Sequence, residues 1–540
     1  MASYFASFLI LVSLPAIFAQ EIIHAKIGVN GTTSVAEIDD YFICATLDWW
    51  PQTKCNYNQC PWGNASVINL DLSHPLLAKA IQAFKHLRIR IGGSLQDRVV
   101  YNVGNLKSPC HPFRKMKDGL FGFSKGCLYM RRWDELNHFF SKTGAIVTFG
   151  LNALYGRHLI KRGVWGGDWD SSNTEDLMKY TISKGYQIDS WEFGNELSGS
   201  GIGASVGAEQ YGKDLIKLKE TVNELYKKSA SKPSLIAPGG FFDQEWYTKL
   251  LQVSGPRVVN VVTHHIYNLG AGVDPSLVSK ILDPSHLSKI SDTFSNVRHI
   301  IQKHGPWASA WVGESGGAYN SGGHHVSDTF VNSFWYLDQL GMASKYNTTV
   351  YCRQSLIGGN YGLLNTTTFV PRPDYFSALL WHRLMGKRVL AVDTDASPYL
   401  RSYAHCSKGR PGITLLLINL SNQTDFIISV ENLMNMNLHA NGRKTQRENS
   451  FVHSLKKTVS WVGRKASDGP SYREEYHLTP KDGYLRSGIA VLNGIPLKLT
   501  DEEEIPTMHP VFNDLNSPLT ISPLSIAFVV LPNFDAPACV

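Results

Sequence analysis

A chain of 540 residues can bury at least one large core and is long enough for two or more domains. Its 43% hydrophobic and 18% charged residues exclude wholesale disorder, and a net charge of +7 implies a mildly basic surface rather than a nucleic-acid binder. Eight scattered cysteines with no Cys-x-x-Cys pair exclude a small disulfide framework, a zinc ribbon and a thioredoxin-type site.

Met1 to Ala19 is an apolar run, too short to span a bilayer, that ends in small residues. It predicts a secretory signal peptide over 1–19, with the mature chain beginning near Gln20 and no integral membrane segment after it. Six sequons, at Asn30, Asn64, Asn347, Asn365, Asn419 and Asn422, agree with a secreted glycoprotein. Cys406 and Cys539 are expected to staple the last strand, and Cys55 and Cys60 to close a short loop. Cys44 and Cys352 lie in apolar strand patterns and are expected to be buried thiols. The densest basic stretch, Arg114-Lys115-Met116-Lys117 with Arg131-Arg132 beyond it, is a solvated loop or a dock for an anionic polymer.

His24 to Val29 alternates like a strand and precedes a repeated unit of short apolar strand, polar loop and amphipathic helix. Eight such strands are predicted: 41–47, 87–91, 145–151, 190–194, 234–238, 258–264, 308–313 and 350–356. Helical faces fall between them at 76–84, 215–222, 330–340 and 375–384. Eight strand–helix units predict an α/β fold, a (β/α)8 TIM barrel over 40–386. An open doubly wound sheet would need a Gly-rich phosphate turn after its first strand, where this chain has Asp48-Trp49-Trp50-Pro51. Beyond Gly386, β-rich runs at 389–392, 413–418, 426–430, 459–462 and 526–531 predict a C-terminal all-β sandwich domain. Residues 20–39 are expected to join 387–540 in that domain, because the early strand needs a sheet. Asn441 to Glu475 reads as an irregular, exposed insertion around one short strand.

Two strands of the barrel each deliver one glutamate into a small-residue loop. Ser190-Trp191-Glu192-Phe193-Gly194-Asn195-Glu196 closes the fourth, and Ala310-Trp311-Val312-Gly313-Glu314-Ser315 the seventh. In a barrel, both ends lie on one face. Two facing carboxyls are the working parts of a glycosidase, and in a retaining one they stand about 5–5.5 Å apart. Glu196 is assigned as proton donor and Glu314 as nucleophile, with Asn195 placed to bond the sugar 2-hydroxyl.

These two stretches resemble the acid/base and nucleophile signatures of glycoside hydrolase family 79, the heparanase family. Arg90-Ile91-Gly92-Gly93-Ser94, Phe149 to Leu154, His264-His265-Ile266-Tyr267 and Gly358-Gly359-Asn360-Tyr361 extend the resemblance over most of the chain. Ala45 to Pro51 is similar to the plant heparanase-like proteins and β-glucuronidases. The resemblance implies a retaining β-glucuronidase with no metal and no cofactor. It places Gly322, Gly323 and Tyr361 at the glucuronate carboxylate, and Asp48, Ser94, Asn152, His265 and Gln354 at other contacts in the sugar pocket. Tyr267 would orient the nucleophile.

Relative to animal heparanase, the stretch from Arg98 to Arg132 is short, so one uncut chain is expected, and the basic residues that grip sulfated heparan are not reproduced. The expected partner is a glucuronic-acid-containing glycan, such as an arabinogalactan protein, or a small glucuronide. The expected location is extracellular (cell wall), with a vacuole or lysosome-like compartment as alternative. An endo-acting enzyme on a polyuronide and a catalytically silent carbohydrate-binding wall protein remain rival readings, and oligomeric state stays open.

Overall fold

The computed structural model describes residues 21–106, 108–433 and 471–540. The expected signal peptide and the 459–462 strand lie outside them. Eight parallel strands close into a barrel in chain order: Ile43–Asp48, Arg88–Gly92, Ile146–Leu151, Ser190–Phe193, Ser234–Phe241, Val261–Ile266, Ser309–Ser315 and Thr348–Arg353. Most helices between them bury one face, whereas Val331–Lys345 is buried on all sides. Ala208–Leu225, for example, covers the barrel with Leu215, Leu218 and Val222. All strands run the same way, so every strand's C-terminal end opens on one rim.

At the other end of the barrel the sequence reading needs a correction. Cys44 and Cys352 are not thiols but a disulfide, with Cα atoms 4.1 Å apart. Closure makes the first and eighth strands neighbours, in a register that sets Cys352 opposite Cys44. Both pack in a small apolar cluster with Ile236, Val261, Trp311 and Val350. The 308 positions between them hide that adjacency in the sequence. Cys55–Cys60 and Cys406–Cys539 pair as expected, the latter at 5.3 Å between Cα atoms, within disulfide reach. Cys110–Cys127 is a fourth bridge that was not foreseen.

The second layer is an eleven-stranded sheet among the described residues. Its strand Glu21–Glu37 is wedged between Met385–Thr394, antiparallel, and Thr424–Asn432, parallel. The early strand thus joins the C-terminal sheet, as its alternating pattern required. Ile413–Asn419 is buried throughout, and apolar from Leu415 to Ile418, because both faces are covered. Leu415 and Leu417 face a core shared with Ile27, Phe426 and Ile521, while Leu416 and Ile418 face the barrel core. Arg401 donates to the buried Asp338 of the barrel helix Val331–Lys345 at 2.8 Å and ties the two layers.

Two further expectations change. The end of the supposed irregular insertion is a strand, Tyr472–Pro480, paired along Ser525–Leu531. Its charges disguised it, yet Arg473 and Glu475 are buried against each other at 2.6 Å, and Arg473 also donates to the Asp514, Ser517 and Pro518 carbonyls. Asn419 is not a glycan site in the folded chain. It is fully buried, and its amide nitrogen donates to the Thr424 and Ile521 carbonyls. Asn64, Asn347 and Asn422 are exposed, whereas Asn30 and Asn365 are half-buried.

Candidate active site

The barrel rim brings Glu196 and Glu314 together. With His265 they form a buried trio whose side-chain ligand atoms all lie within 4.8 Å of one another. Glu196 sits just past the fourth strand in the left-handed region, φ 53°, a conformation that costs a non-glycine residue about 1–2 kcal/mol. Its amide donates to the Gly239 carbonyl at 2.7 Å, and its own carbonyl accepts from Ile202 at 3.0 Å, so neighbouring loops hold the turn. The approach depends on glycine at 240, where a Cβ would come within 2.4 Å of the Ser198 hydroxyl. Glu314 reaches the site through a register shift between the sixth and seventh strands, which sets it opposite His265.

The two carboxyls have different surroundings. Glu314 accepts from Arg90 Nη1 at 2.9 Å and from the Tyr267 hydroxyl at 2.6 Å. Glu196 pairs with His265 Nδ1 at 3.0 Å. Burial lifts its pKa to about 7, against the pull of the Arg90 charge. Burial also lowers His265 to about 3, so its ring is neutral and adds no second charge beside Glu196.

Arg90 is the hub that the sequence reading missed. Its Nε donates to Glu192 at 2.6 Å, Nη1 to Glu314, and Nη2 to Asn195 Oδ1 at 2.9 Å. Burial opposes its charge, but Glu192 and Glu314 outweigh that and keep the guanidinium protonated. Asp97 was missed too. It accepts from the Asn195 and Ala153 amides at 2.8 and 2.7 Å, and so fixes the residue before Glu196. A signal was available for Arg90. Arg90 and Glu192 are charged residues inside strands that are otherwise apolar, where only a partner makes burial affordable.

Of the remaining expected residues, some join the glutamates and others do not. Asn195, Asp48, Gln354, Tyr361 and Tyr267 join the glutamates. Asn195 spends its carbonyl on Arg90 and leaves its amide nitrogen uncommitted among the described residues. Asp48 accepts from Gln354 Nε2 at 3.0 Å, and Gln354 reaches the Tyr361 hydroxyl at 3.4 Å. Burial first, and the Glu314 charge second, push the Asp48 carboxyl well above its usual range. The buried Asp48 Oδ1 has no partner among the described residues. Gly93 allows this packing, since a Cβ there would stand 2.9 Å from the Asp48 carboxyl.

Gly322 lies against the Tyr361 ring, with its amide unpartnered among the described residues. Gly323 differs: its amide already donates to the Ser327 hydroxyl at 2.9 Å. Asn152 is also committed, donating to the Val99 carbonyl at 2.8 Å and accepting from the Leu154 amide at 2.9 Å, so its side chain shapes a loop. Ser94 is half-buried one residue past Gly93.

In the glutamate–histidine trio Arg90 and Tyr267 hold the two Glu314 oxygens and Glu196 Oε1 pairs with His265 Nδ1, while His265 Nε2 has no partner among the described residues. Among the described residues no helix is long and apolar enough to cross a membrane.

The model of glycosyl hydrolase family 79, N-terminal domain, matches residues 24–341. Heparanase-like protein 1 of Arabidopsis thaliana is 67% identical over 522 residues, 96% of each chain. Baicalin-beta-D-glucuronidase of Scutellaria baicalensis is 39% identical over 537 residues, 97% of this chain and 94% of that one. Among solved structures, a 4-O-alpha-L-rhamnosyl-beta-D-glucuronidase from Fusarium oxysporum shares the fold at a TM-score of 0.62 and 15% identity, over 94% of this chain and 100% of that one. With the family model covering more than half of its length, and two facing glutamates on the barrel rim, the chain belongs to glycosyl hydrolase family 79.

Proposed function

We propose that the chain is a secreted, retaining β-glucuronidase that removes β-linked glucuronosyl groups from cell-wall glycans, such as arabinogalactan proteins, or from small glucuronides. The observation that carries this reading is the asymmetry of the glutamate pair. The carboxyls are close enough for the short spacing of a retaining pair. Glu196, with a pKa of about 7, is a proton donor near neutral pH. Glu314, held by Arg90 and Tyr267, is aimed as the nucleophile. The glycosyl-enzyme forms on Glu314 as Glu196 protonates the departing oxygen. Glu196, now a carboxylate, then takes a proton from the water that releases the sugar.

The relative named as a baicalin-beta-D-glucuronidase supports the uronide. So does the Gly322 amide beside Tyr361, a donor unpartnered among the described residues on a cavity of about 310 Å³. Four disulfides support an oxidising compartment such as the secretory route.

Nitrophenyl β-glycosides test the specificity. The β-glucuronide should be hydrolysed at least about tenfold faster than the matching β-glucoside, because an empty anion site leaves buried donors unpaired, at about 1–3 kcal/mol each. Comparable kcat/KM values on the two would remove the uronide and leave a generic retaining glycosidase. Chain-internal cleavage of a polyuronide without release of single glucuronate would favour the endo reading instead.

A pH profile tests the acid. Glu196 is protonated below its pKa of about 7 and loses its proton above it, so kcat/KM should fall as pH rises through about 7. Glu196→Gln should lack that alkaline limb when assayed on a substrate with a good leaving group. A limb unchanged by the substitution would assign the titration to another group.

A further inference from the structure

A second constellation lies outside the glutamate pair. Just past Gly322 and Gly323, the chain carries His324, His325 and Asp328 on one turn, and their ligand atoms lie within 4.8 Å of one another. Neighbouring residues in extended chain point apart, but His325 is left-handed at φ 56°, and the two imidazoles stand with ring centroids 3.7 Å apart. Both rings are exposed, and neither has a hydrogen-bond partner among the described residues. Asp328 Oδ1 is shielded from solvent and equally without a partner. Arg372 feels the Asp328 charge, but its Nη1 is spent on the Gly359, Asn360 and Gly362 carbonyls. Two imidazoles and a carboxylate are a donor set for zinc-type ions, and a poor one for magnesium or calcium.

We propose that His324, His325 and Asp328 form a binding site for a divalent transition-metal ion of the zinc class, on the turn that carries Gly322 and Gly323. Three protein ligands leave a fourth tetrahedral position for water. Ligand atoms around such an ion stand about 3.4 Å apart, as Zn–ligand distances of about 2.0–2.1 Å require. The exposed imidazoles close the difference by rotating. The turn itself is ordered: Ser327 donates its amide to the Gly323 carbonyl at 2.8 Å, and its hydroxyl accepts from the Gly323 amide. An ion bridging 324, 325 and 328 therefore ties both ends of the turn that presents Gly323. His324 also lines a cavity of about 310 Å³ together with Gly322, Asn360 and Arg486, so the ion would sit at its rim.

The test uses the full chain without an affinity tag, stripped with chelator and titrated with Zn²⁺ by calorimetry. Co²⁺ provides a visible absorption band that reports tetrahedral coordination. We expect one Zn²⁺ site, a higher melting temperature with Zn²⁺, and no response to Mg²⁺ or Ca²⁺. In His324→Ala/His325→Ala the affinity should fall at least about tenfold and the thermal shift should vanish. Asp328→Asn, which keeps the side chain's shape, should weaken binding in the same direction and guards against misfolding of the double variant. Because the readout is binding, it stands or falls apart from the glucuronidase reading. The proposal is overturned if the parent chain binds no Zn²⁺ at millimolar concentration. It is equally overturned if the isotherm and Co²⁺ spectrum are unchanged in both variants, since the ion then sits elsewhere.

Discussion

Glu314→Ala should lose activity by on the order of 10⁴-fold or more on every substrate, because no glycosyl-enzyme forms without its nucleophile. Glu196→Ala should behave differently with the leaving group. On a poor one, where protonation is needed, the loss should be about 10²–10⁴-fold. On dinitrophenyl β-glucuronide the first step should survive, and the glycosyl-enzyme should accumulate for lack of a base. Azide needs no base, so it should restore turnover in Glu196→Ala and yield the β-glycosyl azide. In Glu314→Ala, azide would occupy the vacated nucleophile's place and yield the α-anomer. The product's anomeric configuration, read by NMR, decides the roles. Swapped configurations would exchange them, and full activity in either variant would dismiss the pair.

Arg90→Met should be damaging in two ways at once. Its guanidinium lies between Glu192 and Glu314, all but sealed from solvent. Removing one partner of such a buried network leaves carboxylates without a counter-charge, at about 3–5 kcal/mol. Chemical denaturation should therefore show a lower midpoint with little change in slope. Activity should fall as well, since Asn195 and Glu314 lose the donor that aims them. Arg90 also holds the Glu196 pKa down, so the alkaline limb of any residual activity should move to higher pH. Arg90→Lys keeps a charge but cannot reach three acceptors from one ammonium, and should recover only part of the loss. Unchanged stability in Arg90→Met would mean that the buried cation is replaceable by apolar packing.

The barrel was legible because its periodicity repeats: strands of apolar residues, each ended by a polar loop, need only local reading. The glutamate pair was legible for the same reason, since Glu196 and Glu314 end matching strands. What escaped was long-range adjacency. Cys44 looked like a core thiol because nothing near it in the chain announces Cys352 on the neighbouring strand. Asn419 satisfied a three-residue pattern, but its burial depends on Ile521 and Thr424, which the pattern does not contain. Arg90 and Asp97 act through contacts 56 to 105 positions away, with Glu192, Asn195 and Ala153, which only the closed barrel brings within reach. Gly323 shows the converse. A motif placed it at an anion, while a side chain four residues on claims its amide.

The strand Glu21–Glu37 also constrains how the molecule is made. Its main chain pairs with Met385–Thr394 and Thr424–Asn432, and the Lys26 amide bonds to Asp395 across 369 positions. During vectorial synthesis this segment emerges early and waits for partners that arrive only after the whole barrel has been translated. Contact order is therefore high for the sheet even though the barrel units are local, and the sheet should be the slow step in reaching the native state. Until then Ile27 and Val29, fully buried in the end, remain exposed on an unpaired edge, where a holding chaperone or a second nascent chain can bind.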